Sequence, residues 1–230
     1  VTSPDGAKIS DTTHGLLDAL IERDDCTVGI VSGREISDLR QRTALGSTAW
    51  LAGAHGFEIE GPDGTFVHPA IDDARETFIA IATQVRKELH RFPGVAVERK
   101  RAALVLHTLA ADAGVGARAR ERFIEVSQPY MAADKVRLHA GRVAFELLAP
   151  ANWNKGNAVH WIRSQVVARR GQPVLTLYAG DDVTDEDAFG ALDEGDVALV
   201  VGDRPSQAPF RVRGPADLQR VLHALVDART

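Results

Sequence analysis

The ten residues Gly180-Asp181-Asp182-Val183-Thr184-Asp185-Glu186-Asp187-Ala188-Phe189 constrain this chain more than any other stretch. They carry five carboxylates directly after the apolar run Val174-Leu175-Thr176-Leu177-Tyr178-Ala179. A short apolar run bounded by turn residues predicts a buried parallel strand over 174–179. Acid at the C-terminal end of such a strand is where open α/β sheets hold their ligands. A cluster of hard oxygen donors suits Mg²⁺. The same residues also suit a solvated loop entering a helix N-terminus, where carboxylates complement the dipole. Charge alone leaves both readings open. A calcium loop is excluded, because there is no alternating Asp-x-Asp-x-Asp-Gly and too few residues precede the helix.

Composition narrows the class of partner. The chain of 230 residues has a formal net charge of −5 and pI near 5.9, a balance that attracts neither nucleic acid nor an anionic membrane surface. No apolar stretch approaches the ~20 residues that a spanning helix needs, and the N-terminus carries no charged-then-apolar signal pattern. The single cysteine, Cys26 in Cys26-Thr27-Val28-Gly29-Ile30-Val31, cannot form an internal disulfide and reads as a buried, inert thiol in a reducing, cytoplasmic setting. The chain starts at Val1 and its only methionine is Met131, so processing or an upstream start is expected.

Taken in order, the chain alternates helix and strand at both ends and changes character in the middle. Ser10 or Asp11 caps a helix through Leu16, Leu17, Leu20 and Ile21. A strand over 27–31 ends in Ser32-Gly33-Arg34-Glu35 and a second helix, a turn that groups a hydroxyl with backbone N–H groups and suits a phosphate. A strand Trp50–Gly53 leads to Ala54-His55-Gly56, whose glycine neighbours imply a backbone held close to something, and Pro62-Asp63-Gly64 turns a hairpin. A helix over 74–90 follows, with Phe78, Ile81, Val85 and Leu89 on one face. Strands at 95–98 and 102–108, a helix near 115–130 and strands at 136–140 and 143–148 complete an αββαββ pattern. This predicts an α+β domain inserted over 71–150 into an α/β core formed by 1–70 and 151–230. Trp153-Asn154-Lys155-Gly156 reopens the core with a helix. The acidic stretch, a helix over 185–192, a strand over 197–201 and a helix through Leu218–Leu225 close it.

Three strand or helix ends thus present Ser32, Lys155 and the Asp181 cluster. A hydroxyl, an ammonium and a carboxylate-bound Mg²⁺ are the parts that stabilise a transferring phosphoryl group. Lysine is scarce here, five against twenty-two arginines, which makes Lys155 before a glycine at a helix start more telling. Ser32-Gly33-Arg34, Lys155-Gly156 and Gly180-Asp181-Asp182-x-x-Asp185-Glu186 resemble motifs two, three and four of the haloacid dehalogenase-type phosphatases. Ala54-His55-Gly56, Val97-Glu98-Arg99-Lys100 and the full acidic stretch narrow the resemblance to the trehalose-6-phosphate phosphatase family, over nearly the whole chain.

That resemblance implies a Rossmann-like parallel-sheet core with an inserted cap, acting in trehalose biosynthesis on a small sugar phosphate with Mg²⁺ as cofactor. It implies Asp181 as metal ligand, with Asp182 and Asp185 beside it, either orienting the ion's waters and Lys155 or serving as alternate ligands. Ser32 would donate to a phosphoryl oxygen and Lys155 would neutralise it, with Gly33, Arg34, His55 and Gly56 lining the substrate. From the cap, Glu98, Lys100, Arg142 and Glu146 resemble the sugar-contacting residues, assisted by His107. Arg142 and Glu146, four apart on one expected strand, point to the same face.

Two departures from the family pattern stand out. His107-Thr108-Leu109 replaces the usual His-Tyr-Arg, so one basic substrate contact is expected to be lost. The first motif, Asp-x-Asp-Gly-Thr, whose aspartates are nucleophile and general acid, does not occur in Val1–Thr230. Its central strand is expected to be missing as well, and the chain alone is expected to be inactive, with the motif upstream of Val1. A related sugar-phosphate phosphatase and an inactive regulatory or binding domain are the alternatives. Oligomeric state is left open.

Overall fold

The computed structural model describes residues 9–140 and 145–228. The chain divides into two compact units, one running to Phe66 and resuming at Trp153, the other Val67–Asn152.

The first unit begins with α1 (Asp11–Ile21), whose N-terminus is closed by Ser10 Oγ accepting from the Thr13 amide at 3.2 Å. Helical spacing puts Leu17 and Leu20 on one face, buried against Val28, Leu45 and Ala49. The C-terminal helix α7 (Pro215–Asp227) packs on α1 and lays Leu222 and Val226 against the same cluster. Arg23 follows α1 and donates to the Leu225, Val226 and Ala228 carbonyls, capping the end of α7 with a positive charge. The same guanidinium bonds Asp25 and holds its carboxyl down to about 2.

Two sheets make the rest of this unit. In the first, β1 (Gly29–Val31) pairs in parallel with β2 (Trp50–Gly53), which pairs antiparallel with β3 (Glu58–Gly61); β4 (Gly64–Val67) closes the hairpin. Helix α2 (Ile36–Thr43) connects β1 to β2. In the second sheet, β9 (Leu177–Gly180), β10 (Val197–Val201) and β11 (Phe210–Val212) are all parallel, with β10 in the middle. Helix α5 (Lys155–Arg170) packs on β1 and on the short helix α6 (Asp185–Phe189). Its apolar face joins Trp50, Ala52 and Ile59 in a core where Trp161 meets Trp50 edge-on at 5.6 Å.

The second unit runs α3 (Ala70–Leu89), β5 (Ala96–Arg99), β6 (Ala103–His107), α4 (Ala113–Ala132), β7 (Arg137–Ala140) and β8 (Phe145–Leu148). The four strands form an antiparallel sheet in the order β5-β6-β8-β7. Phe78, Ile81, Val85 and Leu89 of α3 are all buried, and Arg120 of α4 lies 5.3 Å from the Phe145 ring. The helices therefore cover the sheet face that carries Phe145. Among the described residues no helix is long and apolar enough to cross a membrane.

Several sequence expectations need correction. The strand before the acidic stretch is Leu177–Gly180 rather than 174–179, and it is half-buried rather than buried. Leu175 is 72% exposed. The cause is position: among the described residues β9 lies at the margin of its sheet, whereas β10, flanked on both sides, has Ala198, Leu199 and Val200 buried. The Asp196 carboxylate also takes the Thr176 amide at 2.8 Å, which ends the ladder there. The first strand starts at Gly29, not Thr27. The helix expected to reach Leu192 stops at Phe189, capped by Gly190. Conversely α3 starts earlier than expected, because Pro69 provides its start and His68 Nδ1 accepts from the Ala70 amide. Strand β11 was not anticipated.

Candidate active site

The acidic stretch leaves β9 at Gly180 and enters α6 at Asp185, and its carboxylates have different surroundings. Asp185 is only 4% exposed. Its Oδ1 accepts from Lys155 Nζ and from the Tyr178 hydroxyl, both at 2.8 Å. Its Oδ2 accepts from the Asp182 amide, also at 2.8 Å. The Asp182 carboxylate in turn accepts from Thr184 Oγ1 at 3.1 Å. Lys155, 7% exposed, is the first residue of α5, and its helix start is fixed by a reciprocal capping box between Asn154 and Asn157. A buried ammonium is tolerated because a carboxylate meets it. Burial and the neighbouring Asp185 charge push the Tyr178 phenol well above its ordinary range, so it stays a donor.

Close approach makes the glycines of this region necessary. A Cβ at Gly180 would lie 2.3 Å from Asp185 Cγ, and one at Gly156 would lie 2.3 Å from the Asp187 carbonyl.

A second group of residues is interlocked at the ends of β1 and β2. Ala54 and His55 take left-handed backbone angles, φ 51° and 59°, followed by Gly56 at 93°. Non-glycine residues in that region cost about 1–3 kcal/mol each and persist only where the surroundings fix them. Here the Ala54 amide donates to the Arg34 carbonyl at 2.6 Å, the His55 amide to the Ser32 carbonyl at 2.9 Å, and Trp153 Nε1 to the Gly56 carbonyl at 2.7 Å. The His55 ring lies over Gly33, where a Cβ would come within 2.7 Å of it. Ser32 Oγ accepts from the Arg34 amide at 3.2 Å, and Arg34 pairs with Asp38. Helix α5 packs on this turn and on α6, so one element ties both groups together.

The cap residues named from the sequence lie in the second unit. Register sets Glu98, Val105, Glu146 and His139 opposite one another across four strands, so they share one face. The Phe145 row alternates with this one, so the face points away from α3 and α4. His107 Nε2 lies 2.8 Å from Glu98 Oε2. Lys100 donates its amide to Ala103 at the end of the β5–β6 hairpin. Arg142 lies outside the described residues. Leu109, standing where the family pattern has a basic residue, is 62% exposed.

Fit to Mg²⁺ rests on the carboxylates. Among the described residues no three His, Cys, Asp or Glu side chains gather into a metal-binding group. Both Asp185 oxygens already accept hydrogen bonds, which suits bracing better than ligation. Asp181 differs: it is exposed, and its carboxylate makes no hydrogen bond or ion pair among the described residues. Mg²⁺ keeps several waters and typically takes one or two carboxylates together with a substrate phosphate. One open carboxylate therefore fits part of such a shell.

Sequence reasoning missed Tyr178, Arg204 and the Arg137–His139 side of the cap sheet. Tyr178 sits two residues before Gly180 on the strand feeding the motif. Arg204 follows β10, and the C-terminal end of a parallel strand was the place to look for it.

Comparison with known proteins gives the family and the fold. A trehalose-phosphate phosphatase of Mycobacterium marinum is 38% identical over 200 residues, covering 83% of this chain and 49% of that protein. The chain thus spans about half the length of the curated relatives it matches. The C-terminal domain of Candida albicans trehalose-6-phosphate phosphatase superposes with a TM-score of 0.79 at 23% identity, covering all of this chain and 89% of that one. A haloacid dehalogenase-like hydrolase of B. subtilis superposes with a TM-score of 0.58 at 17% identity, covering 97% and 94%. The fold is that of the haloacid dehalogenase-like phosphatases, a mixed α/β architecture with parallel strands. The Trehalose-phosphatase family model matches residues 1–216, and the chain belongs to the trehalose-phosphatase family.

Proposed function

We propose that this chain is the phosphatase part of a Mg²⁺-dependent enzyme that releases phosphate from trehalose 6-phosphate. The observation that carries this is the buried Lys155–Asp185 pair, braced by Tyr178 and the Asp182 amide beside the open Asp181 carboxylate. A fixed ammonium, with an open carboxylate for a cation on the same loop as its partner Asp185, suits an anionic phosphoryl group, because preorganised charge costs no reorganisation during reaction.

In this reading Asp181 holds the ion, which when bound neutralises phosphoryl charge. Lys155 offsets charge on a phosphoryl oxygen, and Asp185 keeps the ammonium in place. The Ser32 hydroxyl donates to a second oxygen, and the turn His55-Gly56 over Gly33 walls the site. Glu98, His107, Lys100, Glu146 and Arg142 of the second unit are assigned to recognition of sugar hydroxyls.

The chemical step needs a carboxylate nucleophile and an acid, which we assign to an aspartate pair outside the described residues. Among the described residues β1 and β9 each end a sheet in the first unit, and β9 is half-buried despite its apolar sequence. These edges suit a parallel strand that carries the pair, since an edge strand leaves backbone N–H and C=O groups open to pairing. The nucleophile's oxygen bonds to phosphorus as the sugar oxygen leaves and takes a proton from the second aspartate. Water then hydrolyses the aspartyl-phosphate, returning the carboxylate and freeing inorganic phosphate.

The test is substrate discrimination by the full-length protein. Phosphate release should be faster from trehalose 6-phosphate than from sucrose 6-phosphate or glucose 6-phosphate. Preference for sucrose 6-phosphate would replace the substrate assignment, and tight binding without turnover of any of the three would replace the catalytic one.

A further inference from the structure

Arg204 reaches the acidic motif from a different part of the chain, the connection between β10 and β11. Its Nε donates to the Asp181 carbonyl at 2.9 Å. Its Nη1 pairs with Glu186 Oε1 and donates to the Pro205 carbonyl at 2.9 Å. One guanidinium thus spans the motif, from the residue that opens the β9–α6 loop to the first turn of α6. The side chain is 16% exposed and lies 6.0 Å from the Phe189 ring centre. Glu186 is held from the same connection by Gln207, whose amide donates to Oε2 at 2.9 Å and whose Nε2 donates to the Glu186 carbonyl at 2.7 Å. Arg211 closes the arrangement by donating to the Arg204 carbonyl at 3.0 Å and to Gly202.

The remaining nitrogen tells against a purely structural role. Arg204 Nη2 is buried and has no hydrogen-bond partner among the described residues. An unmatched buried donor destabilises a fold, and an apolar side chain of similar length would not carry that penalty. What an apolar residue could not do is hold the Asp181 carbonyl.

We propose that Arg204 is a positioning residue for the divalent cation, fixing the backbone of Asp181 so that its open carboxylate stays aimed at the ion. The proposal rests on the assignment of the ion to Asp181. Arg204 touches neither ion nor substrate; it acts through the Asp181 carbonyl and Glu186. Groups that orient a metal ligand typically change metal affinity 10- to 100-fold when removed.

Mn²⁺ binding to the full-length protein, followed by electron paramagnetic resonance of the free ion, reads this without turnover. Arg204→Met/Glu186→Gln removes both partners of the pair together, which keeps the fold near its original stability. It should weaken Mn²⁺ binding at least about tenfold, with a thermal midpoint close to that of the unaltered protein. Arg220→Met, at an exposed arginine paired with Asp217, should leave affinity unchanged. Arg204→Lys should not restore binding, since one ammonium cannot span both acceptors. Unaltered Mn²⁺ affinity in the double variant overturns the proposal. Unaltered affinity in Asp181→Asn overturns instead the assignment of the ion to Asp181, and a loss in Asp181→Asn but not in the double variant isolates the failure to Arg204.

Discussion

Replacing Asp185 by Asn leaves the shape of the site intact and removes the carboxylate charge that Lys155 is buried against. Three donors converge on that carboxylate: Lys155 Nζ, the Tyr178 hydroxyl and the Asp182 amide. An amide has one accepting end, so in either orientation its NH₂ faces a donor. Breaking a buried pair by removing one partner costs about 3–5 kcal/mol. Lys155→Met is the milder half, because Asp185 keeps two donors, and should cost about 3 kcal/mol. In the double variant the uncompensated charge is gone, so its cost falls short of the sum of the singles by about 2 kcal/mol, within the range for residues of one network. Urea unfolding followed by tryptophan fluorescence measures all four proteins, with Trp153 and Trp161 beside and within α5 as reporters. Slopes should be unchanged and midpoints shifted. Additivity within about 0.5 kcal/mol would contradict this coupling, because the two side chains would then behave as independent groups.

Three further outcomes follow from the same contacts. Gly180→Ala should destabilise the protein and weaken Mn²⁺ binding, since the new methyl meets a buried carboxylate at 2.3 Å; a thermal midpoint and affinity like the parent's would contradict this. Tyr178 has its folded-state pKa raised by burial and by Asp185, so the proton is held more tightly in the folded protein than in the unfolded one. Its contribution is complete below the unfolded value near 10 and is lost as pH rises above it. The stability difference between the parent and Tyr178→Phe should therefore be constant from about pH 6 to 9 and shrink above about pH 10, as read by urea midpoints; a difference that grows with alkalinity would be inconsistent. Leu109→Arg, which introduces a basic residue at an exposed position, should lower KM for trehalose 6-phosphate while leaving kcat nearly unchanged, and an unaltered KM would remove residue 109 from the sugar site.

How much of this was legible in the sequence depends on whether a feature is local. The helix start at Trp153-Asn154-Lys155-Gly156, the α3 face through Phe78, Ile81, Val85 and Leu89, and the strand Val197–Val201 follow from spacing and neighbouring residues alone. The order αββαββ was legible for the same reason. Strand limits near the acidic stretch were not, because they depend on a neighbour far along the chain: Asp196 takes the Thr176 amide and shortens β9. The acidic motif announced itself by charge density, but charge density cannot sort its members. The structure sorts them by partner, with Asp185 enclosed by three donors, Glu186 stapled to Arg204 and Gln207, and Asp181 left open. Arg204 was hidden because it sits 23 residues from Asp181, in a connection with no pattern of its own.

Trehalose 6-phosphate hydrolysis as proposed depends on an ion-binding and phosphate-binding pole at Asp181 and Lys155. That dependence is tested most directly by phosphate release from trehalose 6-phosphate by the full-length protein with Mg²⁺ present or chelated, beside Asp181→Asn. Release should stop on chelation, return when Mg²⁺ is restored, and be lost in Asp181→Asn at the same Mg²⁺ concentration. Undiminished release after chelation, or an Asp181→Asn protein as active as the parent, would contradict it.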